Sequence, residues 1–434
     1  MAKIYHNSLF SWEKFYCFKS LENFKLIINN LPDEKLIRKL IEKRKKGRNA
    51  YPIKVIWNSV IAGILFQHSS IESLRRELIR NPVLAELCGF EPISGEYAIP
   101  KSANYTNFLK NLVDHQNEID EIFYTLVKEL KKILPNFGKI LAGDGKALNS
   151  YGKESKKKKK DGRRDIDANT GIKQYSGINE NGSLWKKVKS WFGYKLHLVV
   201  DAEHELPVEY RLTKASTAEG KIMKDMFSKM DLSILEKAEY ALLDRGYDDE
   251  KLIKELYDKY NIKPIIDIRN MWRDGEKTKI IDETKNIGYD YKGTIYCYCP
   301  KNFEKKEMTF KGYEKKRKSL KYLCPAKVYG IKCSGMKKCL HTSGIRIPLS
   351  LNRRIFTPVS RSSYKWKRLY NARTSVERVN SRIDLSFGFD RHFIRGIKKM
   401  RIRCSLSLCV MLTVALVRSK ECRIDLVRSL LKTG

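Results

Sequence analysis

The sequence predicts an α/β domain preceded by an all-helical region, and three observations predict it. Through residues 1–135 apolar side chains recur at three- and four-residue spacing, the period of helices that bury one face. From Lys139 the pattern changes to short apolar runs ending in polar residues, as in strands of a sheet covered by helices. After that change the elements follow in the order strand, hairpin pair, helix, strand, helix, strand.

Each element has its own local reason. Val55-Ile56-Trp57 to Phe66 and Ile119 to Leu134 carry the clearest helical spacing. Ser69 to Leu87 is helical on both sides of Pro82, whose missing N–H breaks the run as in helix–turn–helix arrays. Lys43 to Arg48 (KRKKGR) is a basic loop that serves either as a solvated face or as a phosphate-contacting edge. Lys139-Ile140-Leu141-Ala142 is a strand that ends at Gly143-Asp144-Gly145, and Lys153 to Arg164 follows as a loop of like charges. Trp191 to Val200 and Leu206 to Leu212 alternate and are joined by Asp201 to Glu205, which makes a β-hairpin. Ser216-Thr217-Ala218-Glu219 has the form of a capping box opening a helix through Ile222 to Met230. Tyr240 to Leu243 is a strand stopping at Asp244-Arg245-Gly246-Tyr247, Asp248 to Tyr260 a helix, and Lys263 to Ile268 a further strand. A Lys- and Cys-rich insert from Arg269 to about Pro358 interrupts the alternation, and helical spacing returns over Tyr364 to Asp384. No repeat of fixed period is present.

The chain has 434 residues, 42% of them hydrophobic, enough for two or three modules. Its 87 Lys and Arg against 50 Asp and Glu leave a formal charge of +37. Such a surplus repels itself in a compact state, so a polyanion is the expected partner, and nucleic acid is the first to consider. The longest apolar run, Cys404 to Val417, is shorter than the ~18–20 residues of a spanning helix and reads as buried core. No secretory signal is evident, so an intracellular location is expected. There is no P-loop, since Gly47 is isolated and Gly143 to Gly145 lacks a G-K-S/T ending, and the seven histidines show no H-E-x-x-H. His197 reads as a strand residue facing its neighbours, and Cys404, Cys409 and Cys422 as core of a C-terminal helix.

Asp144 and Asp244 each end an apolar strand beside glycine. Residues past the ends of strands in an open sheet share a crevice, where two carboxylates repel unless a divalent cation offsets them. Capping of a turn explains an aspartate at such a place equally simply. Tyr370, Arg373, Glu377, Asn380 and Asp384 lie three or four residues apart, one polar stripe if the segment is a single helix. A surface Arg373–Glu377 salt bridge, worth a few tenths of a kcal/mol, is the plain alternative there.

Together these segments resemble the DDE transposases of bacterial insertion sequences, in the group whose last catalytic segment reads Y-x2-R-x3-E-x6-K. Tyr370, Arg373 and Glu377 match its first three positions (YNARTSVE), Gly143-Asp144-Gly145-Lys146 with Tyr151-Gly152 the first-aspartate region, and Asp244-Arg245-Gly246-Tyr247 the second. Lys189 to His197 (KSWFGYKLH) and Arg391 to Gly396 (RHFIRG) are also similar to family segments. The resemblance covers nearly the whole chain. It implies a ribonuclease H-like catalytic domain over 136–434, interrupted at about 269–358, after a helical DNA-binding domain over 1–135. Asp144, Asp244 and Glu377 would hold two Mg²⁺ or Mn²⁺ ions, with Tyr370 and Arg373 on DNA phosphates. The implied reaction is metal-dependent cleavage at element ends and transfer of the freed 3′-OH into target DNA. Double-stranded DNA, with its terminal inverted repeats, is the implied partner, and synapsis of two ends implies a homodimer in the cytoplasm, on the nucleoid. One position departs from the pattern: Asp384 stands where relatives have lysine, and Arg382 is the nearest basic side chain. In the family that lysine is expected on the DNA terminus, so here the contact weakens, passes to Arg382 or is lost. A DNA-binding descendant without catalysis is therefore the alternative, and a nuclease of the same fold without strand transfer a third reading.

Lys156, Lys157 and Lys158, in the run Lys156 to Lys160, suit phosphate contacts that do not read sequence. In the insert, Cys297, Cys299, Cys324, Cys333, Cys339 and His341 are of the types that hold structural zinc, yet their spacings depart from paired C-x2-C. Packing of cysteine as a small apolar side chain is the competing reading. Trp272 reads as core before it reads as a base-stacking surface.

Overall fold

A computed structural model of the chain describes residues 19–44, 51–91, 96–153, 165–179, 181, 183–282 and 284–429. The N-terminal region is helical: α1 (Lys19–Asn30), α2 (Glu34–Arg44), α3 (Ile53–Leu65), α4 (Ile71–Arg80), α5 (Pro82–Cys88), α6 (Ser102–Val113) and α7 (Gln116–Ile133). Pro82 opens α5 at its first position, where its missing N–H costs nothing, and Asn81 caps it by accepting from Leu84 N–H. Of the basic loop at 43–48, Lys43 and Arg44 close α2 and the rest lies outside the described residues.

A mixed sheet follows. Its strands are β1 (Ile140–Asn149), β2 (Asn169–Ile178), β3 (Leu184–Asp201), β4 (Leu206–Lys214), β5 (Tyr240–Leu243) and β6 (Lys263–Ile266). β3 runs antiparallel to both β1 and β4, while β5 and β6 run parallel to β1, giving the order β4–β3–β1–β5–β6. The first half of β3 projects beyond this sheet and pairs with β2. Helices α8 (Glu219–Lys229), α9 (Leu232–Lys237) and α10 (Glu250–Lys254) connect the strands, α10 passing into a wider turn over Glu255–Lys259. This arrangement after a helical N-terminal region is the ribonuclease H-like α/β fold that the sequence predicts.

The insert folds on itself as β7 (Lys279–Ile280), β8 (Ile287–Tyr289), β9 (Ile295–Tyr298) and β10 (Lys305–Glu307) in one sheet. β11 (Thr309–Glu314), β12 (Ser319–Leu323) and β13 (Ile345–Pro348) form another, with α11 (Pro325–Tyr329) between β12 and β13. It has its own apolar core, including Ile287, Ile295, Tyr322, Ile347 and Phe356. The chain then returns as α12 (Tyr364–Asn371), α13 (Thr374–Phe387) and α14 (Ile397–Lys420).

α14 is long and apolar enough by composition to cross a membrane, but it is buried nearly all round. It packs on α1, α3, α6, α7 and β4, so one apolar core runs from the N-terminal helices into the sheet. Cys404 and Cys409 are in that core, as expected. Cys422 is not: α14 ends at Lys420, and Cys422 is exposed in a left-handed turn with φ of 59°.

Candidate active site

The register of the central strands brings the two aspartates together. β1 and β5 pair in parallel from Ile140↔Tyr240 to Gly143↔Leu243, and the next residue on each strand is Asp144 or Asp244. Neighbouring strands lie about 4.8 Å apart, so the two carboxylates leave adjacent backbones. Asp144 does not end its strand as the sequence suggested, because β1 continues against β3 as far as Asn149. Only β5 stops there. It stops because the Asp244 carboxylate accepts the Gly246 N–H at 2.6 Å and caps a tight turn over Arg245–Tyr247. Asp244 is thus a turn cap and a neighbour of Asp144 at once. Gly143 keeps this crossing close: a Cβ there would stand 2.7 Å from Leu243 Cδ2 and 2.8 Å from Met223 Cε.

Burial, joined by the charges of Asp244 and Glu219, pushes the Asp144 carboxyl up to about 6, with Lys173 and the Gly145 N–H opposing. Sequence reading missed Glu219 as part of this group. The capping-box pattern pairs Glu219 with Ser216, but the residue before α8 is Ala218, with no side-chain cap, and Ser216 bonds Asn169 instead. The Glu219 carboxylate turns to Lys195 at 2.9 Å and Lys173 at 3.6 Å. Burial works against its charge, and the two lysines hold its carboxyl below the usual range. Lys195 was the available signal: a lone lysine inside the apolar run of β3 needs a buried anion.

The third segment is two helices. Between Tyr370 on α12 and Glu377 on α13 the hydrogen bonds tighten to i→i+3, as in Arg373 N–H to Tyr370 O at 3.0 Å and Ser375 N–H to Ala372 O at 3.1 Å. The single stripe expected here is therefore bent at Arg373. Arg373 bonds Glu377 Oε1 at 2.8 Å and also feels the charge of Asp144. Its buried Nε has no hydrogen-bond partner. Tyr370 stacks on Trp366 at 4.7 Å and feels the charges of Asp267 and Asp244. Tyr370 and Arg373 thus lie within electrostatic range of Asp244 and Asp144 respectively. Glu377 adjoins Arg373, with its side chain 51% exposed. Among the described residues no three His, Cys, Asp or Glu side chains stand ready around a single cation position.

Asp384 takes Lys146, from β1, as its ion-pair partner. Arg382 turns elsewhere, to Glu205 Oε2 at 2.9 Å and to the main-chain oxygens of Glu205 and Arg428. Lys156, Lys157 and Lys158 lie outside the described residues. His197 is a buried strand residue with Nε2 2.9 Å from Thr213 Oγ1, and burial pushes its imidazole down to about 4. Trp272 packs half-buried against the core of the insert, edge-on to Tyr289 at 5.9 Å. Cys297, Cys299, Cys324, Cys333, Cys339 and His341 gather around one small cavity in the insert.

Compared with known families, residues 152–413 match the one described as "Transposase DDE domain". The match includes Asp244, Tyr370, Arg373, Glu377 and the whole insert, and begins just after Asp144. No curated protein matches the chain.

Proposed function

The chain belongs to the transposase DDE-domain family, and from that premise we propose that it cuts DNA at the ends of an insertion sequence and joins the freed 3′-OH to target DNA. The observation that carries this reading is the in-register pair Asp144 and Asp244 with the raised proton affinity of Asp144. Its charge of +37 supports double-stranded DNA as the substrate.

The donor set suits Mg²⁺ or Mn²⁺: hard carboxylate oxygens, of which Asp144 resists ionising alone because it is buried and has Asp244 and Glu219 nearby. Tyr247 lends support, since its buried hydroxyl has no partner and feels the charges of Glu219, Asp144 and Asp244. Asp144 and Asp244 would hold the ions, and Glu377 would join them on leaving Arg373. Two such ions, when bound, polarise the attacking and leaving oxygens of an in-line displacement at phosphorus.

The protein's own groups hold and orient the DNA. Arg373, with Nε unpartnered, pairs with a phosphate oxygen, and the Tyr370 hydroxyl donates a further bond. In the first reaction a water oxygen bonds phosphorus, the P–O3′ bond breaks, and the water proton ends on the 3′-oxygen. In the second, that 3′-oxygen bonds a target phosphorus, breaking a P–O bond there and passing its proton to the leaving oxygen. Two copies acting on paired ends, inside the cell, complete the proposal.

Asp144→Asn, Asp244→Asn and Glu377→Gln should each abolish Mg²⁺-dependent nicking of an inverted-repeat substrate while end binding remains measurable. Near wild-type nicking by any one of them would overturn the assignment. A DNA-binding protein without catalysis is favoured by two observations: the Glu377 carboxylate is held by Arg373, and Asp384 replaces the expected lysine. Wild-type protein that binds the repeats and never nicks them would establish that reading.

A further inference from the structure

The core of the insert stops short of the segment between α11 and β13. From residue 330 to 344 Gly335 alone is buried, while Ile331, Met336 and Leu340 are exposed, Leu340 at 89%. A connection of that length with no apolar anchor needs another tie.

The sulfur-bearing side chains provide it. Cys333, Cys339 and His341 from this segment meet Cys297 and Cys299, in and just after β9, and Cys324, just before α11, around a cavity of about 20 Å³. That is room for one small ion or water. The Cys297 side chain lies near those of Cys324, Cys339 and Cys333, and the Cys333 side chain lies near that of Cys299. The main-chain N–H groups of Asn302, Lys301 and Gly335 point at Cys299 Sγ, and Ser334 Oγ lies 3.5 Å from it. Gly335 makes this wrapping feasible: a Cβ there would stand 2.9 Å from Cys299 Sγ. Main-chain N–H groups directed at a cysteine sulfur are the outer hydrogen bonds that orient a metal-ligating side chain. None of the six residues belongs to the carboxylate group, and packing alone does not explain polar donors converging on one sulfur.

We propose that this cluster is a structural Zn²⁺ site, with Cys299 and Cys333 as two ligands and two of Cys297, Cys324, Cys339 and His341 completing a tetrahedron. The side chains ring the cavity without yet standing at coordinating distance from one point. Thiols that keep their protons stay at sulfur contact distance, whereas thiolates bind Zn²⁺ at about 2.3 Å, so loading contracts the ring. Each ligating thiol gives its proton to solvent as the metal binds. His341 Nε2 lies 3.4 Å from Thr284 O, which leaves Nδ1 for a metal. The ion would tie the 333–341 segment to β9, supplying the closure that the small core of the insert lacks.

The test uses the full-length chain, prepared under reducing conditions without chelator. Elemental analysis should find about one zinc per chain, and Co²⁺ in its place should show intense sulfur-to-cobalt charge-transfer absorption. A Cys299→Ser/Cys333→Ser double variant should lose both signals, and Cys422→Ser, altering an exposed cysteine outside the cluster, should keep them. Wild-type protein with neither stoichiometric zinc nor the cobalt band would overturn the site, whatever the solubility of the double variant. So would full metal content in that variant, or disulfides among the five cysteines in a non-reducing digest of freshly reduced protein.

Discussion

Lys146 and Asp384 form a partly buried ion pair that joins the strand of Asp144 to the helix of Glu377. The pair fixes α13 against β1 at the depth of the carboxylate group. Lys146→Met would leave the Asp384 carboxylate without its cation and should lower unfolding stability by about 1–3 kcal/mol, the partial exposure moderating the cost of an unpaired buried charge. Lys146→Met/Asp384→Leu should recover most of the loss, since removing both charges removes the penalty. Denaturant unfolding of the two single variants and the double variant checks this, and a purely additive double variant would show that the pair contributes nothing.

The proton affinity of Asp144 sets a pH dependence whose sign follows from its direction. Burial, with Asp244 and Glu219, holds this carboxyl up at about 6, above the ~3.9 of an unfolded chain. The fold therefore favours its protonated form. That contribution to stability is fully present below the unfolded value and is lost as pH rises through about 6. Metal-free Asp144→Asn should thus be more stable than wild type at neutral pH, by about 1–3 kcal/mol, with the gap closing toward pH 4. Thermal melts across that range in buffer free of Mg²⁺ and Mn²⁺ decide it. A gap that stays constant with pH would show that Asp144 titrates normally.

Much of this arrangement was legible because local patterns carry it. The β3–β4 hairpin, the β5 strand into Asp244-Arg245-Gly246-Tyr247 and the buried α14 each announce themselves in apolar spacing. β2 did not, since Asn169–Ile178 holds two glycines and few apolar residues and is a strand only because the long β3 offers it an edge. Asp144 in mid-strand was equally invisible, because the continuation of β1 past it depends on pairing with residues more than forty positions on. The same holds for Glu219 and for Lys146 with Asp384, whose partners are tertiary. Sequence spacing supplied residue types for the site, and strand register decided which of them meet.

Arg373 lies between the two parts of the candidate site, bonding Glu377 and feeling the charge of Asp144. Arg373→Met should weaken binding to terminal-repeat DNA and reduce the slope of log K against log salt by about 1, the loss of one phosphate contact. Titrations at several salt concentrations measure it. A lower affinity with an unchanged slope would show that Arg373 serves only to hold Glu377.

Glu219 should tune Asp144 without touching substrate. Glu219→Gln removes one of the negative charges that raise the Asp144 carboxyl and releases the positive charges of Lys195 and Lys173 that now face Glu219. Both changes favour the ionised form of Asp144, so the acid limb of Mg²⁺-dependent nicking should move to lower pH than in wild type. The buried Lys195 loses its ion-pair partner, at a cost to stability of about 1–3 kcal/mol. A structural role alone would lower stability and leave the pH limb in place. The discriminating measurement is therefore the nicking rate against pH for wild type and Glu219→Gln at a temperature where both are folded, and an unmoved limb would separate Glu219 from the chemistry of Asp144.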